Sequence, residues 1–208
     1  MRWRARAIVQ RQVRLRASRP QLKRDPLGRP GSHVLFALLI SLLLPARGGK
    51  PPVAVLRVGT TLIILDSTEL DTVRVALGST PTNESGDAST ADHWLCYTIR
   101  DRGYHLRLES LEMNGPSIGA FWLGPATADT ARGRCSPATF ALSGVRTDRG
   151  VAIGMTRDSV QAVLGAPTRH RANWDEFSYK YRTLYSTFRA YYRGGVVTVM
   201  EGDVFHAE

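Results

Sequence analysis

Ile153-Gly154-Met155-Thr156-Arg157-Asp158-Ser159-Val160-Gln161-Ala162-Val163-Leu164-Gly165-Ala166-Pro167-Thr168 is the stretch on which the reading of this chain turns. Thr156 is a capping residue type, and Asp158 falls in the first turn after it, where the free N–H groups of a helix start favour an acid. Val160, Val163 and Leu164 share one helical face, and Gly165 followed by Pro167 stops the run. The segment predicts a short helix of about two turns. An earlier stretch, Asp66-Ser67-Thr68-Glu69-Leu70-Asp71-Thr72-Val73-Arg74-Val75-Ala76-Leu77-Gly78-Ser79-Thr80-Pro81-Thr82, repeats this grammar. There Thr68 and Asp71 match a capping box, Leu70, Val73 and Leu77 share a face, and Gly78 and Pro81 end the helix. Gly165 lies 87 residues after Gly78, and at that offset Leu77/Leu164, Val73/Val160 and Asp71/Asp158 coincide.

The segments downstream of the two helices are also parallel. The first helix leads into a polar loop (79–91) and strand-like runs at 94–100, 104–111 and 118–123. The second leads into a loop (168–173) and runs at 177–182, 185–192 and 196–200, with Arg193-Gly194-Gly195 as a hairpin turn. Residues 139–142 and 150–153 read as strands joining the two halves. Helix, strand, strand, strand thus occurs twice, a period too long for a solenoid and suited to a duplicated unit. Chance likeness between two capped helices is the competing reading. The expected fold class is α+β, two tandem helix-on-antiparallel-sheet lobes: 49–145 and 146–208, after a basic leader at 1–48.

The charge supports that partition. The 208 residues carry a formal net charge of +10, and residues 1–48 hold 11 of the 28 Lys and Arg but one of the 18 Asp and Glu. The remainder balances at zero, so the basic pI is a property of the leader and gives no case for a nucleic-acid partner. Within the leader an apolar run, 34–44, broken by Ser41 alone, reaches about 16 Å as a helix against a hydrocarbon core of roughly 30 Å. It reads as the apolar region of a secretory signal, with Ala46 and Gly48 placing cleavage after Gly48, in a periplasmic or secreted protein with no stable span in the mature chain. An uncleaved N-terminal anchor is the alternative. No cysteine lies near the end of the run to take a lipid, and no Arg-Arg pair marks twin-arginine export.

Both cysteines, Cys96 and Cys135, lie in the mature part, which suits an oxidising compartment and predicts a bridge between them. The bridge would close 39 residues, worth roughly 4 kcal/mol in the chain-entropy account. Two unrelated buried thiols are the other reading.

Catalytic and cofactor signatures are missing. HExxH, CxxC, GxxxxGK[ST] and GxGxxG are absent, and His93, His105, His170 and His206 show no metal-ligand spacing. No metal, cofactor or catalytic set is expected. Asp92-His93 is the one acid/base pair that invites attention, and without a placed Ser or Cys nucleophile it reads as a loop pair.

The positive signal is aromatic. Trp174, Phe177, Tyr179, Tyr181, Tyr185, Phe188, Tyr191 and Tyr192 crowd into 19 residues beside three arginines. Tyr, Trp and Arg dominate interface hot spots, while in a strand alternate rings simply pack inward. Alternation puts Phe177 and Phe188 inward and leaves Lys180, Arg182, Arg189, Tyr191 and Arg193 outward as the candidate binding set. A merely solvated sheet face is the competing account of the same residues.

Gly154-Met155-Thr156, the ending Leu164-Gly165-Ala166-Pro167, the aromatic strand Trp174…Phe177-Ser178-Tyr179-Lys180-Tyr181 and the hairpin Phe188 to Val197 together resemble the SmpA/OmlA family of outer-membrane assembly proteins. The layout is also similar to the tandem modules of the β-lactamase inhibitory protein type. The resemblance covers about residues 151–200 and implies an exported, non-enzymatic module that binds other proteins through a small sheet with helices on one face. The leading expectation is therefore a non-catalytic protein-binding module of the cell envelope. A structural component of an envelope assembly is the second expectation. A secreted hydrolase using Asp92, His93 and His105 is the third and ranks last.

Overall fold

The computed structural model describes residues 54–86, 91–110, 115–130 and 133–206. The leader, its apolar run and the expected cleavage point after Gly48 lie outside the described residues. The described chain runs β1 (Val55–Val58), β2 (Thr61–Ile64), α1 (Leu70–Leu77), β3 (Asn83–Ser85), β4 (Asp92–Ile99), β5 (Tyr104–Ser110), β6 (Ala120–Pro125), β7 (Ser136–Pro137), β8 (Val145–Thr147), α2 (Arg157–Leu164), β9 (Arg169–His170), β10 (Trp174–Tyr181), β11 (Leu184–Arg193) and β12 (Val196–His206). Two sheets result. A small one has the order β2-β1-β8, and a large one has the order β3-β4-β5-β6-β12-β11-β10-β9, with β7 beside β4.

The large sheet buries one face. Side chains alternate across a strand, so Leu95, Tyr97 and Ile99 on β4, Leu106 and Leu108 on β5, Phe121 and Leu123 on β6, Phe188 and Ala190 on β11 and Phe177 on β10 all point the same way. They join Leu56, Val58 and Ile63 of the small sheet, Leu70, Val73 and Leu77 of α1 and Val160 of α2 in a single core. Both helices and the small sheet therefore lie on this side, the helix face. Phe177 and Phe188 are fully buried in it, as strand alternation predicts.

Each helix starts differently. Thr156 caps α2, its side-chain oxygen accepting from the Ser159 N–H at 3.3 Å. Thr68 does not cap α1 as expected. Its hydroxyl accepts the Ile64 N–H at 2.9 Å, and the cap position falls to Glu69, whose side chain makes no cap bond. Helix α2 is fastened to the sheet by Asp175, a fully buried carboxylate that meets His170 Nδ1 at 2.7 Å, Gln161 Nε2 at 3.1 Å and Arg157 Nε at 3.3 Å. A buried charge is tolerated only when paired and hydrogen-bonded, and Asp175 is both.

The expected fold class is corrected here. Among the described residues the chain is mostly β, twelve strands against two eight-residue helices, and the strands do not form two tandem helix-on-sheet lobes. The helices do lie 87 residues apart, and the first four strands after each, β3 to β6 and β9 to β12, pair in chain order. However, β6 pairs antiparallel with β12 through Leu123↔Met200 to Ala120↔Asp203, closing both runs into one continuous sheet. The small sheet also crosses the expected divide, since β1 pairs with β8. Neither 139–142 nor 150–153 is a strand; the strand in that region is β8. Alternation of apolar residues reveals that a strand has a buried face, but not which other strand will take its hydrogen-bonding edge.

Candidate functional site

The second face of the large sheet has neither helix nor small sheet over it. Its side chains fall into rows that cross the strands, set by the register. One row runs Glu176, Arg189, Glu201, Trp122, Arg107, Cys96. The row beside it holds Trp174, Tyr191 and Val199 on β10, β11 and β12, with His105 and Thr98 at its far end on β5 and β4. On the other side lie Ser178, Thr187, Asp203, Ala120, Glu109, Trp94 and Asn83, and at the hairpin end come Lys180, Tyr185 and Phe205.

Charge is ordered along the first row. Arg189 Nε donates to Glu176 Oε2 at 2.8 Å, and its Nη1 lies 3.8 Å from Glu201 Oε2. Tyr191 Oη donates to the same Glu201 oxygen at 3.0 Å, and its ring lies 6.5 Å from that of Trp174. Burial and the Glu201 carboxylate push the Tyr191 hydroxyl up to about 12, so it stays a proton donor at neutral pH. Arg107 bonds Glu109, and its guanidinium lies 5.5 Å from the Trp122 ring centroid, a cation–π distance. At the hairpin end Tyr185 stacks on Phe205 at 5.3 Å with the Lys180 ammonium 4.8 Å from the tyrosine ring.

Half of this face is roofed. Trp94, Cys96 and Trp122 are buried yet stand outside the main core. The stretch after β6 folds back over β4 and β5, and three attachments hold it there. The Cys96–Cys135 disulfide is the first, with Cα atoms 4.4 Å apart, as the two cysteines predict. Asn83 is the second, donating to Arg134 O at 3.0 Å and accepting the Arg134 N–H at 2.7 Å. The third is Asp129, whose Oδ1 meets Arg107 Nη1 at 2.5 Å and whose Oδ2 meets His105 Nδ1 at 2.9 Å. Gly133 sits so close to this floor that a Cβ there would come within 3.1 Å of Trp94 Nε1. The roof leaves β12, β11 and β10 open.

Of the residues singled out in the sequence, Lys180, Arg189 and Tyr191 lie on this open half, and Arg193 stands exposed at the end of β11. Arg182 does not join them. It occupies the turn after β10 with φ 57°, and its guanidinium lies 5.5 Å from the Tyr181 ring. Asp92, His93 and His105 are not brought together: His93 pairs with Ser110 in register with the helix-face residues, whereas His105 points to the open side with Asp129. Sequence reasoning missed Trp122, Arg107, Glu176 and Glu201, which complete the row. The alternation His105, Arg107, Glu109 was the available signal, three polar side chains on one face of a strand whose other face is Leu106 and Leu108.

Cys135 Sγ lies 3.7 Å from His105 Nδ1, so Cys96, His105, Asp129 and Cys135 form one cluster with ligand atoms all within 4.8 Å of one another. Their positions along the chain show none of the short spacings of a metal motif, and the fold gathers them from two strands and the roof. The chain matches no protein-family model, no curated protein and no solved structure.

Proposed function

We propose that this chain is an exported, non-catalytic protein-binding module whose partner docks on the open half of the large sheet. One observation carries the reading: Tyr191, Trp174 and Arg189 stand side by side on strands, with Arg189 and Tyr191 held by Glu176 and Glu201. Aromatic and Arg side chains of this kind provide most interface energy, and side chains already locked in place lose little freedom on binding. Lys180, Arg193 and Arg169 border the same area as an exposed basic rim. That rim favours a folded partner presenting carboxylates around an apolar centre. The resemblance to the SmpA/OmlA and inhibitory modules supports export and protein binding in the same sense.

The test is capture from envelope extract by the purified chain, followed by reconstitution with the captured protein alone. A one-to-one complex is expected, weakened about 30-fold or more by Tyr191→Ala or Trp174→Ala, the scale of a hot-spot loss of ~2 kcal/mol. Val163→Asp, on the exposed part of α2, should leave the affinity unchanged. A complex indifferent to Tyr191→Ala and Trp174→Ala but lost in Val163→Asp would place the interface on the helix face and end this reading.

A further inference from the structure

The four-residue cluster under the roof carries more than a covalent tie. We propose that when the Cys96–Cys135 bridge is reduced, the same corner is a zinc site with Cys96 Sγ, Cys135 Sγ, His105 Nδ1 and an Asp129 oxygen as its ligands. The donor set is two thiolates, an imidazole and a carboxylate, each a usual zinc ligand. Tetrahedral zinc with bonds of about 2.0–2.3 Å holds its ligand atoms roughly 3.3–3.8 Å apart. These four atoms already lie within 4.8 Å of one another, so rotation of the freed cysteine side chains is the adjustment required.

The surroundings fit a closed site. Cys96 is 1% exposed, and the Asp129 and His105 side chains are 4% and 20% exposed, leaving little room for water. Cys96 and His105 are fixed on neighbouring paired strands, β4 and β5, while Asp129 and Cys135 come from the roof. Two thiolates and a carboxylate offer three negative charges against two on zinc, and Arg107, shared between Asp129 and Glu109, stands beside them. Arg107 Nη1 holds the Asp129 Oδ1 at 2.5 Å, which leaves Oδ2 toward the cluster and orients it as outer-shell partners do. Two thiolates select zinc over magnesium or calcium.

The chemistry balances with one added reagent. A dithiol gives two electrons and two protons to the disulfide, becoming a disulfide itself and leaving Cys96 and Cys135 as thiols. Zinc(II) then displaces the two thiol protons to solvent. The proton that His105 Nδ1 shares with Asp129 Oδ2 in the oxidised form passes to solvent, and the metal-bound imidazole carries its proton on Nε2, so that Nδ1 offers its lone pair. Either state ties the roof to β4 and β5, covalently when oxidised and through the metal when reduced.

Cobalt(II), a spectroscopic stand-in for zinc, tests this on the full chain. The protein is reduced with a dithiol, freed of it anaerobically and titrated. The expected result is one cobalt per chain, with thiolate charge-transfer and tetrahedral ligand-field bands, native β-sheet circular dichroism and displacement by zinc. The oxidised chain should give no bands. Reduced His105→Ala and Asp129→Ala should each bind cobalt more than about tenfold more weakly, at least the loss that outer-shell changes already cause. Three results would overturn the site: no saturable one-to-one binding, variants indistinguishable from the wild type, or a reduced chain that unfolds and is not restored by cobalt or zinc.

Discussion

Phe177 and Gly202 show how closely single residues are specified. Phe177 is 1% exposed and its ring centroid lies 6.2 Å from that of Phe188. Phe177→Ala should cost about 3–5 kcal/mol in urea unfolding, the usual penalty for emptying a core ring site. Gly202 lies opposite Phe121 across the junction of β12 with β6, and a Cβ there would press into the Phe121 ring. Gly202→Ala should therefore destabilise by about 1–3 kcal/mol through overpacking. An unchanged melting profile for either variant would contradict the described core. At this scale the sequence was informative wherever one side chain answers to one local rule. The inward rings of β10 and β11 follow from alternation, and the cysteine pair follows from its even count. Glu176 and Asp175 did not declare themselves, because consecutive acids look like solvent-facing residues until partners from distant elements are known. Asp175 meets Arg157 and Gln161 from α2, and Glu176 meets Arg189 from β11.

At the scale of elements, the two helices share a length and a stop signal but not a start. Only α2 has a side-chain cap, so Thr156→Ala should lose about 1 kcal/mol. Glu69→Ala, at the start of α1, should stay within about 0.5 kcal/mol of the wild type because its exposed side chain bonds nothing at the cap. Chemical denaturation of both variants checks the pair, and equal losses would show that the caps are equivalent after all. The likeness of the two segments was thus legible in composition, while the hydroxyl of Thr68 was claimed by Ile64 four residues earlier. A cap residue is recognised by type, but a nearby N–H competes for the same oxygen. Strand boundaries were legible for the same reason that strand partners were not. Alternation is written along the chain, whereas the β6–β12 junction depends on which edge the folded chain leaves unpaired.

For the molecule as a whole, burial of tyrosine hydroxyls sets an alkaline limit. Tyr97, Tyr191 and Tyr192 are each pushed from the ordinary 10.0 up to about 12, first by burial. Their folded forms hold the proton where the unfolded chain releases it. Stability is therefore complete below about pH 10 and falls as pH rises toward about 12, where the folded hydroxyls ionise too. Urea midpoints should be flat up to about pH 9 and fall steeply above it. Tyr191→Phe should make that fall shallower, and an identical slope would remove Tyr191 from the account.

The large sheet ends in β3 on one side and β9 on the other, strands of three and two residues. β3 reads Asn83-Glu84-Ser85 and β9 reads Arg169-His170, both largely exposed and polar or charged. Long apolar borders invite a second chain to add its own strand, and such recruitment leads to fibres. Short charged borders offer a newcomer too few ladder bonds to stay. A newcomer that edges up to β3 or β9 therefore finds little to hold, and the longer stretch of border is 177–181 of β10, which β9 does not pair.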